Sequence, residues 1–243
     1  MVSRRLKKPQ QMFWMHFPLA KFWMVLTCVL ILVFCVSQLR NPTLFPVRHV
    51  TVTGARHIEH QTLQHLLLPG LTRGFFVVHP AQLRESILQF PWVADVSVVR
   101  SWPDEVFIAI SEYQPVASWN ANKLLSTSGE VFSPDKQTFP TGLPRFLGPE
   151  GTQVTVLEYY RQISKLLEPL GIKMTSLELT PWHSWNMVLE NGIRVNVGYK
   201  DILTRIGHFV KVYDDVVGAR AKNVDYVDLR YPDGFAVRWK AIS

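Results

Sequence analysis

The sequence predicts an α+β protein: a single N-terminal transmembrane helix, a small β-α-α-β-β unit, and a C-terminal antiparallel β-sheet domain with helices packed on it. Three observations predict it. Residues 22–39, FWMVLTCVLILVFCVSQL, run 18 residues without a charge between Lys21 and Arg40. Residues 45–114 carry strand, helix, helix, strand and strand patterns in that order. Residues 115–243 alternate strand patterns and turn signals around two amphipathic helical stretches.

As a helix, the uncharged run is about 27 Å long, close to the hydrocarbon thickness of a bilayer. Residues 12–20 are also largely apolar, so the helix can begin earlier. A cleaved signal peptide is the alternative, but the run is long for one and no A-x-A site follows it. Acylation of Cys35 would place bulky Phe34 where small residues are expected. An uncleaved anchor is therefore the expectation. Five of the 26 Lys and Arg residues (Arg4, Arg5, Lys7, Lys8 and Lys21) lie in residues 1–21, and the first acid is Glu59. That basic tail keeps the N-terminus in the cytoplasm and sends the rest of the chain outside. Orientation is the plain role of the tail; attraction to acidic lipid or to a cytoplasmic partner is the other. The remainder holds 21 basic and 19 acidic residues, a net of +2, so the overall +7 does not mark a nucleic-acid binder. Cys28 and Cys35 both lie in the apolar run, seven residues apart on one helix face and too distant to bridge.

In the first outer unit, Val47–Thr53 is a largely β-branched run closed by Gly54. Leu63, Leu66 and Leu67 share one face of a helix that Pro69-Gly70 should stop. Pro80 suits a first helical position; Leu83, Ile87 and Phe90 follow at i, i+4 and i+7, and Pro91 terminates. In "VADVSVVR", Ala94, Val96 and Val98 share a face against Asp95 and Ser97. "SWPDE" turns the chain, and Val106, Ile108 and Ile110 alternate again.

In the second unit, "ASWNANKLLSTSGEVFSP" reads as a hairpin turning at Ser128-Gly129. A helix spans about 154–170, ended by Gly171. "WNMVLENGIRVNVGY" is a hairpin on Asn191-Gly192. Residues 201–215 form a helix with Ile202, Ile206, Phe209 and Tyr213 on one face, and a last hairpin turns at Pro232-Asp233-Gly234.

The stretch "VRSWPDEVFIAISEYQPVASW" carries V-x-R-x-W-P and then E-x-x-P-x-A-x-W, with Glu112, Pro115, Ala117 and Trp119 in the matching places. It resembles the FtsQ/DivIB family of bacterial cell-division proteins, and the β-α-α-β-β order resembles a POTRA domain. "ILTRIGHFVKVY" and the closing "YVDLRY" with G-x-A-V-x-W are similar to the same family. The resemblance covers the whole chain: a tail over 1–21, a transmembrane helix over 22–39, a POTRA domain over 45–114 and an FtsQ-type β domain over 115–243.

Residues that carry chemistry are sparse. Ser133 and Lys136 have S-x-x-K spacing, but S-D-N and K-T-G are absent and the stretch lies among turn residues. His57, His60 and His65 cluster without a cysteine or convergent acid, which suits a solvated helix start better than zinc. Asp214-Asp215 reads as a polar helix boundary, and no P-loop, G-x-S-x-G or Rossmann fingerprint appears. No cofactor and no catalytic residue are expected.

The last strand has two readings. Phe235, Val237 and Trp239 alternate with Ala236, Arg238 and Lys240. The apolar set is either core behind an edge guarded by Arg238 and Lys240, or the template for a partner strand that adds to the sheet. The family resemblance implies the second. It implies that FtsB, with FtsL attached, docks at Tyr231, Gly234, Phe235, Ala236, Val237 and Trp239, and that Arg194 on the "IRVNV" strand meets an acidic partner residue. Pro232 and Asp233 stand where Asp-Ser is common in the family; proline donates no backbone hydrogen bond, which bears on the start of the pairing and not its centre. The resemblance further implies a single-pass inner-membrane protein at the division septum, with its POTRA domain meeting other divisome proteins and with no nucleic acid bound. The alternatives are a membrane-anchored periplasmic cell-wall enzyme using Ser133 or a carboxylate, and an accessory of secretion or outer-membrane assembly.

Overall fold

The uncharged run folds as one helix, α1 (Leu19–Leu39), and the computed structural model describes residues 19–39, 41–231 and 234–240. Most of the basic tail, Arg40, the Pro232-Asp233 pair and residues 241–243 lie outside the described residues. The side chains of α1 from Lys21 onward are almost all exposed, and its length and composition suit a membrane crossing.

Next come β1 (His49–Thr53), α2 (His60–Leu71), α3 (Pro80–Leu88), β2 (Val93–Ser101) and β3 (Glu105–Glu112). Their sheet order is β1-β3-β2, with β1 parallel and β2 antiparallel to the central β3. The alternation in β3 turns Val106, Ile108 and Ile110 inward against Leu63, Leu67, Leu83 and Ile87 of the two helices. Two details depart from the sequence reading. Helix α2 runs through Pro69-Gly70 instead of stopping there. Pro69 stands in the last turn: its fixed φ fits a helix, it cannot donate to the carbonyl of His65, and the helix ends two residues later at Leu71. Gly70 lets α3 approach: a Cβ there would lie 2.8 Å from Leu83 Cδ2. In β2 a register shift between Val93 and Asp95 turns Val93 inward beside Val96, leaving Ala94 only half-buried.

The second unit holds β4 (Pro115–Trp119), β5 (Lys123–Ser126), β6 (Val131–Phe132), β7 (Arg145–Leu147), α4 (Gln153–Leu167), β8 (Met174–Leu179), β9 (Trp185–Leu189), β10 (Arg194–Gly198), α5 (Ile202–Val216), β11 (Val224–Asp228) and β12 (Ala236–Trp239). They form a nine-stranded sheet in the order β12-β11-β10-β9-β8-β7-β4-β5-β6. The expected sheet was antiparallel; this one is mixed, because β4/β7, β7/β8 and β10/β11 pair in parallel. The two helices explain two of these pairs. α4 carries the chain from β7 to β8 and α5 from β10 to β11, and a parallel neighbour needs such a crossover. The 117–134 stretch also holds two reversals instead of one: β4 and β5 pair across residues 120–122, and β5 and β6 across 127–130. One core unites the sheet and both helices, with Phe146, Leu177, Met187, Val195 and Phe209 fully buried.

A smaller apolar cluster joins the two units. Trp92, just before β2, packs with Leu124 and Phe132 of the second sheet. Its Nε1 donates to Thr138 Oγ1 at 3.0 Å, and the His57 ring stacks on it at 3.8 Å. Glu112 holds His57 in place: Oε1 accepts from the amides of Arg56 (2.7 Å) and His57 (2.9 Å), and Oε2 lies 2.6 Å from His57 Nδ1. Burial pushes the Glu112 carboxyl up, but the His57 and Arg56 hydrogen bonds outweigh it and hold it below the usual carboxylate range.

Gly54 follows β1 at φ +87°, and a Cβ there would stand 1.9 Å from the carbonyl oxygen of Ile110. Gly54→Ala must separate β1 from β3 and strain its own backbone. It should destabilise the first unit by about 2 kcal/mol or more, read as a lowered urea midpoint; an unchanged midpoint would show that the contact relaxes freely.

Candidate functional site

Strand β12 ends the nine-stranded sheet and, among the described residues, pairs only with β11. The pairing is antiparallel, with Val227 opposite Val237 and Asp228 opposite Ala236. A register shift between Val224 and Tyr226 brings Trp239 opposite Val224. Phe235 and Val237 are half-buried against the main core, and the Phe235 ring meets Phe209 edge-on at 5.8 Å. Ala236, Arg238 and Lys240 are exposed. The strand thus rests one apolar face on the domain and leaves its other face and its outer edge open.

Two large apolar side chains of the closing hairpin are not core. Trp239 is 40% exposed, with the Arg220 guanidinium 4.9 Å from its ring centre in place of a packed apolar cover. Tyr231 is 56% exposed, because the alternation of β11 stops at Asp228. There the carboxylate folds back on the chain, accepting from the Arg230 amide at 3.1 Å and from Arg230 Nη2 at 2.6 Å. Asp228 is buried and Arg230 mostly exposed, and together they form the bend. Past this bend, Tyr231, Gly234 and Phe235 line a shallow groove with Arg205, His208, Val212 and Leu229. A Cβ on Gly234 would meet nothing within 4 Å, so the fold itself does not demand glycine there.

Arg194 sits two strands in from the edge, since β10 adjoins β11 and not β12. It registers with Tyr226, which registers with Arg238. Its guanidinium is 2.6 Å from Asp225, and Arg238 lies 4.0 Å from the same carboxylate. The sequence reading placed Arg194 against a partner acid; in the chain alone it already has an acid. Asp225, Asp228 and Arg220 were not singled out from the sequence. The Asp-x-Arg spacing over 228–230 was a usable signal for the bend, whereas the Asp225 and Arg220 contacts depend on strand register and on the turn before β11.

The other candidates do not converge. Ser133 is exposed in a loop, and Lys136 opens a short 3₁₀ turn capped by Asp135. His57 belongs to the interdomain contact, while His60 faces Gln64 at 3.2 Å. Asp214 and Asp215 are exposed near the end of α5. Among the described residues, no three His, Cys, Asp or Glu side chains gather in a way that could hold a metal.

An apolar helix long enough to cross a membrane, a β-α-α-β-β unit and a helix-covered sheet with an open edge fit a single-pass membrane protein of the POTRA-bearing class. Comparison with known proteins places it more closely. Residues 45–113 match the POTRA domain of FtsQ type, and residues 117–230 match the C-terminal domain of cell division protein FtsQ/DivIB. The chain is 35% identical to the cell division protein FtsQ of Coxiella burnetii over 206 residues, 84% of this chain and 85% of that protein. With FtsQ of Escherichia coli the identity is 31% over 88% of this chain and 81% of that protein. With FtsQ of Vibrio cholerae it is 38% over 65% of this chain and 60% of that protein. The chain belongs to the FtsQ family, and its role is in bacterial cell division.

Hydrogen bonds from Arg230 lower the Asp228 carboxyl below its usual range despite burial, which pushes the other way. A carboxyl depressed in the folded state stabilises above the unfolded pKa, about 3.9, and that stabilisation is lost as pH falls through the lowered value. Asp228→Asn should therefore flatten the acid limb of stability below about pH 4 and cost about 1–3 kcal/mol at neutral pH. Urea titrations of both chains across that range check it.

Proposed function

We propose that this chain is a non-catalytic scaffold of the bacterial divisome. In this reading it is a bitopic protein of the inner membrane at the septum, with residues 1–21 in the cytoplasm and the POTRA domain (45–114) and β domain (115–243) in the periplasm. The β domain captures FtsB, with FtsL attached, by taking an FtsB strand onto β12. The POTRA domain helps bring the protein to the septum and meets other divisome proteins. The assembled set then controls septal peptidoglycan synthesis.

The observation that carries this reading is the open outer edge of β12 beside exposed Tyr231 and Trp239. Backbone groups along such an edge supply hydrogen bonds to an added strand, and side chains at alternate positions supply selectivity. The proposed contact set is Tyr231, Gly234, Phe235, Ala236, Val237 and Trp239, with Arg194 at its flank. The empty space around Gly234 suits close approach of a partner backbone. The exposed Arg194–Asp225 pair contributes roughly 0–1 kcal/mol, so Arg194 can exchange Asp225 for a partner carboxylate at little cost. Confinement of both partners to one membrane raises their effective concentration, so a modest pairing affinity suffices.

A titration of the full chain with the outer segment of FtsB from the same organism tests the reading. Phe235→Lys should weaken binding by about 2 kcal/mol or more, roughly thirtyfold. Because Phe235 also packs on Phe209, a thermal melt must show the variant folded, and Tyr231→Ala, outside the core, should weaken binding too. Equal binding by all three chains would move the interface elsewhere. For the absence of catalysis, Ser133→Ala should complement a depletion strain as well as wild type; lost growth at normal protein levels would favour an enzyme.

A further inference from the structure

Three large apolar side chains are exposed at the end of the POTRA domain nearest α1. Leu44 is 56% exposed, Phe76 42% and Trp102 74%. Backbone contacts bring them to that end. The Asn41 amide donates to Gln38 O at 3.0 Å, which joins the turn to the last residues of α1. The Leu44 and Phe45 amides donate back to Asn41 O, and Asn41 Oδ1 accepts from the Thr43 amide and hydroxyl. The 41–45 turn is thus closed on itself. Phe45 O accepts from the Phe75 amide at 2.8 Å, and the Phe45 and Phe75 rings each meet Phe76 edge-on, at 5.1 and 5.3 Å. Gly74, at φ +97°, fits under Pro42, where a Cβ would lie 3.0 Å from Pro42 Cα. The loop between α2 and α3 is therefore packed onto the turn that follows the span.

The hairpin between β2 and β3 points the same way. Arg48 and His49, entering β1, both donate their amides to Asp104 O, and Arg100 Nη1 donates to Val78 O at 3.3 Å. Trp102, at the tip, belongs to the W-P element of the sequence motif, yet neither the core nor the β12 edge uses its side chain. β3 runs from Glu105 at this end to Glu112 at the interdomain contact, so the second domain lies at the opposite end of the POTRA sheet.

We propose that this end of the POTRA domain, carrying Leu44, Phe76 and Trp102, seats in the lipid headgroup layer of the membrane that α1 crosses. The argument is one of reach. Leu44 lies one tight turn from Asn41, within about 7 Å, and Asn41 is bonded to the end of the span. The headgroup layer is itself about 5–8 Å deep on each side of the hydrocarbon. A tryptophan with apolar neighbours is the usual side-chain chemistry of that layer. Exposed Arg73, beside the Phe75-Phe76 loop, supplies a cation for anionic headgroups, while Arg48 lies 3.8 Å from the Asp104 carboxylate. A patch held so close to the bilayer contacts lipid before it contacts a soluble partner. The seat would fix the tilt of the POTRA domain on the membrane and, through Trp92, the presentation of the sheet beyond it.

The test uses the full chain with Cys28→Ser and Cys35→Ser in vesicles of phosphatidylethanolamine and phosphatidylglycerol. Nitroxides are placed singly at Leu44→Cys, Phe76→Cys, Trp102→Cys, Leu32→Cys in the span and Trp182→Cys in the second domain, each variant first shown folded by its thermal melt. Electron-spin relaxation by oxygen, which enters lipid, is compared with relaxation by a water-soluble nickel chelate. The oxygen-to-chelate ratio should be several-fold higher at 44, 76 and 102 than at 182. Chelate access at 44, 76 and 102 with 32 protected would overturn the seat alone. Chelate access at 32 as well would overturn the anchor and the seat together. Protection of 44, 76 and 102 from both reagents would mean that protein covers the patch, and would overturn the lipid assignment.

Discussion

The nine-stranded sheet buries one face under α4 and α5, and the rest of the protein's external form follows from that covering. Both helices are crossovers between parallel neighbours, so each must lie on a face of the sheet. Val156, Leu157 and Ile163 of α4 and Ile206, Phe209 and Tyr213 of α5 fill the space above Leu177, Met187 and Val195. Two helices do not reach every strand. The opposite face carries Arg145, Arg194 and Arg238 in exposed positions, and the sheet runs out at β12, where neither α4 nor α5 buries Trp239. An open edge next to a well-filled core is affordable only because the core does not depend on the edge strand: Phe235 and Val237 add to it from its margin.

The electrostatic contacts around that edge are of two kinds, and the difference sets their roles. Asp228 is buried, takes several hydrogen bonds from Arg230 and fixes where β11 ends. Removing it would take from the Arg230 amide and guanidinium the acceptor that closes the bend, so it is structural. Asp225, bracketed by Arg194 and Arg238, sits among exposed side chains where solvent screens the attraction. Arg238, on the edge strand, guards it against nonspecific pairing, and both exposed cations can change partners at little cost.

The two folded units meet through a few groups. Trp92 fills a small apolar pocket made by the second unit, His57 covers it, and Glu112 holds His57 through both carboxylate oxygens. This gives a structural account of Glu112 in the E-x-x-P-x-A-x-W element. Ala117 and Trp119 of the same element are buried in the second unit's core. The motif is the seam between the domains, and its residue types answer packing and hydrogen bonding at that seam.

The sequence by itself determined the local elements. The uncharged run, the alternation of Val106, Ile108 and Ile110, the Asn191-Gly192 turn and the apolar face of 201–215 each report a periodicity that the backbone imposes within a few residues. The shared motifs also carried the family. Tertiary structure alone decided strand order and direction, because pairing β10 with β11 or β7 with β4 rests on contacts between segments far apart in the chain. It decided that α2 passes through Pro69-Gly70, since only the approach of Leu83 explains the glycine. It also decided the candidate site's chemistry. The sequence left Trp239 open between core and partner face; the Asp228 bend and the register shift at Val224 leave Tyr231 and Trp239 facing solvent. Side-chain period is a property of a strand, whereas exposure depends on what the rest of the fold brings to cover it.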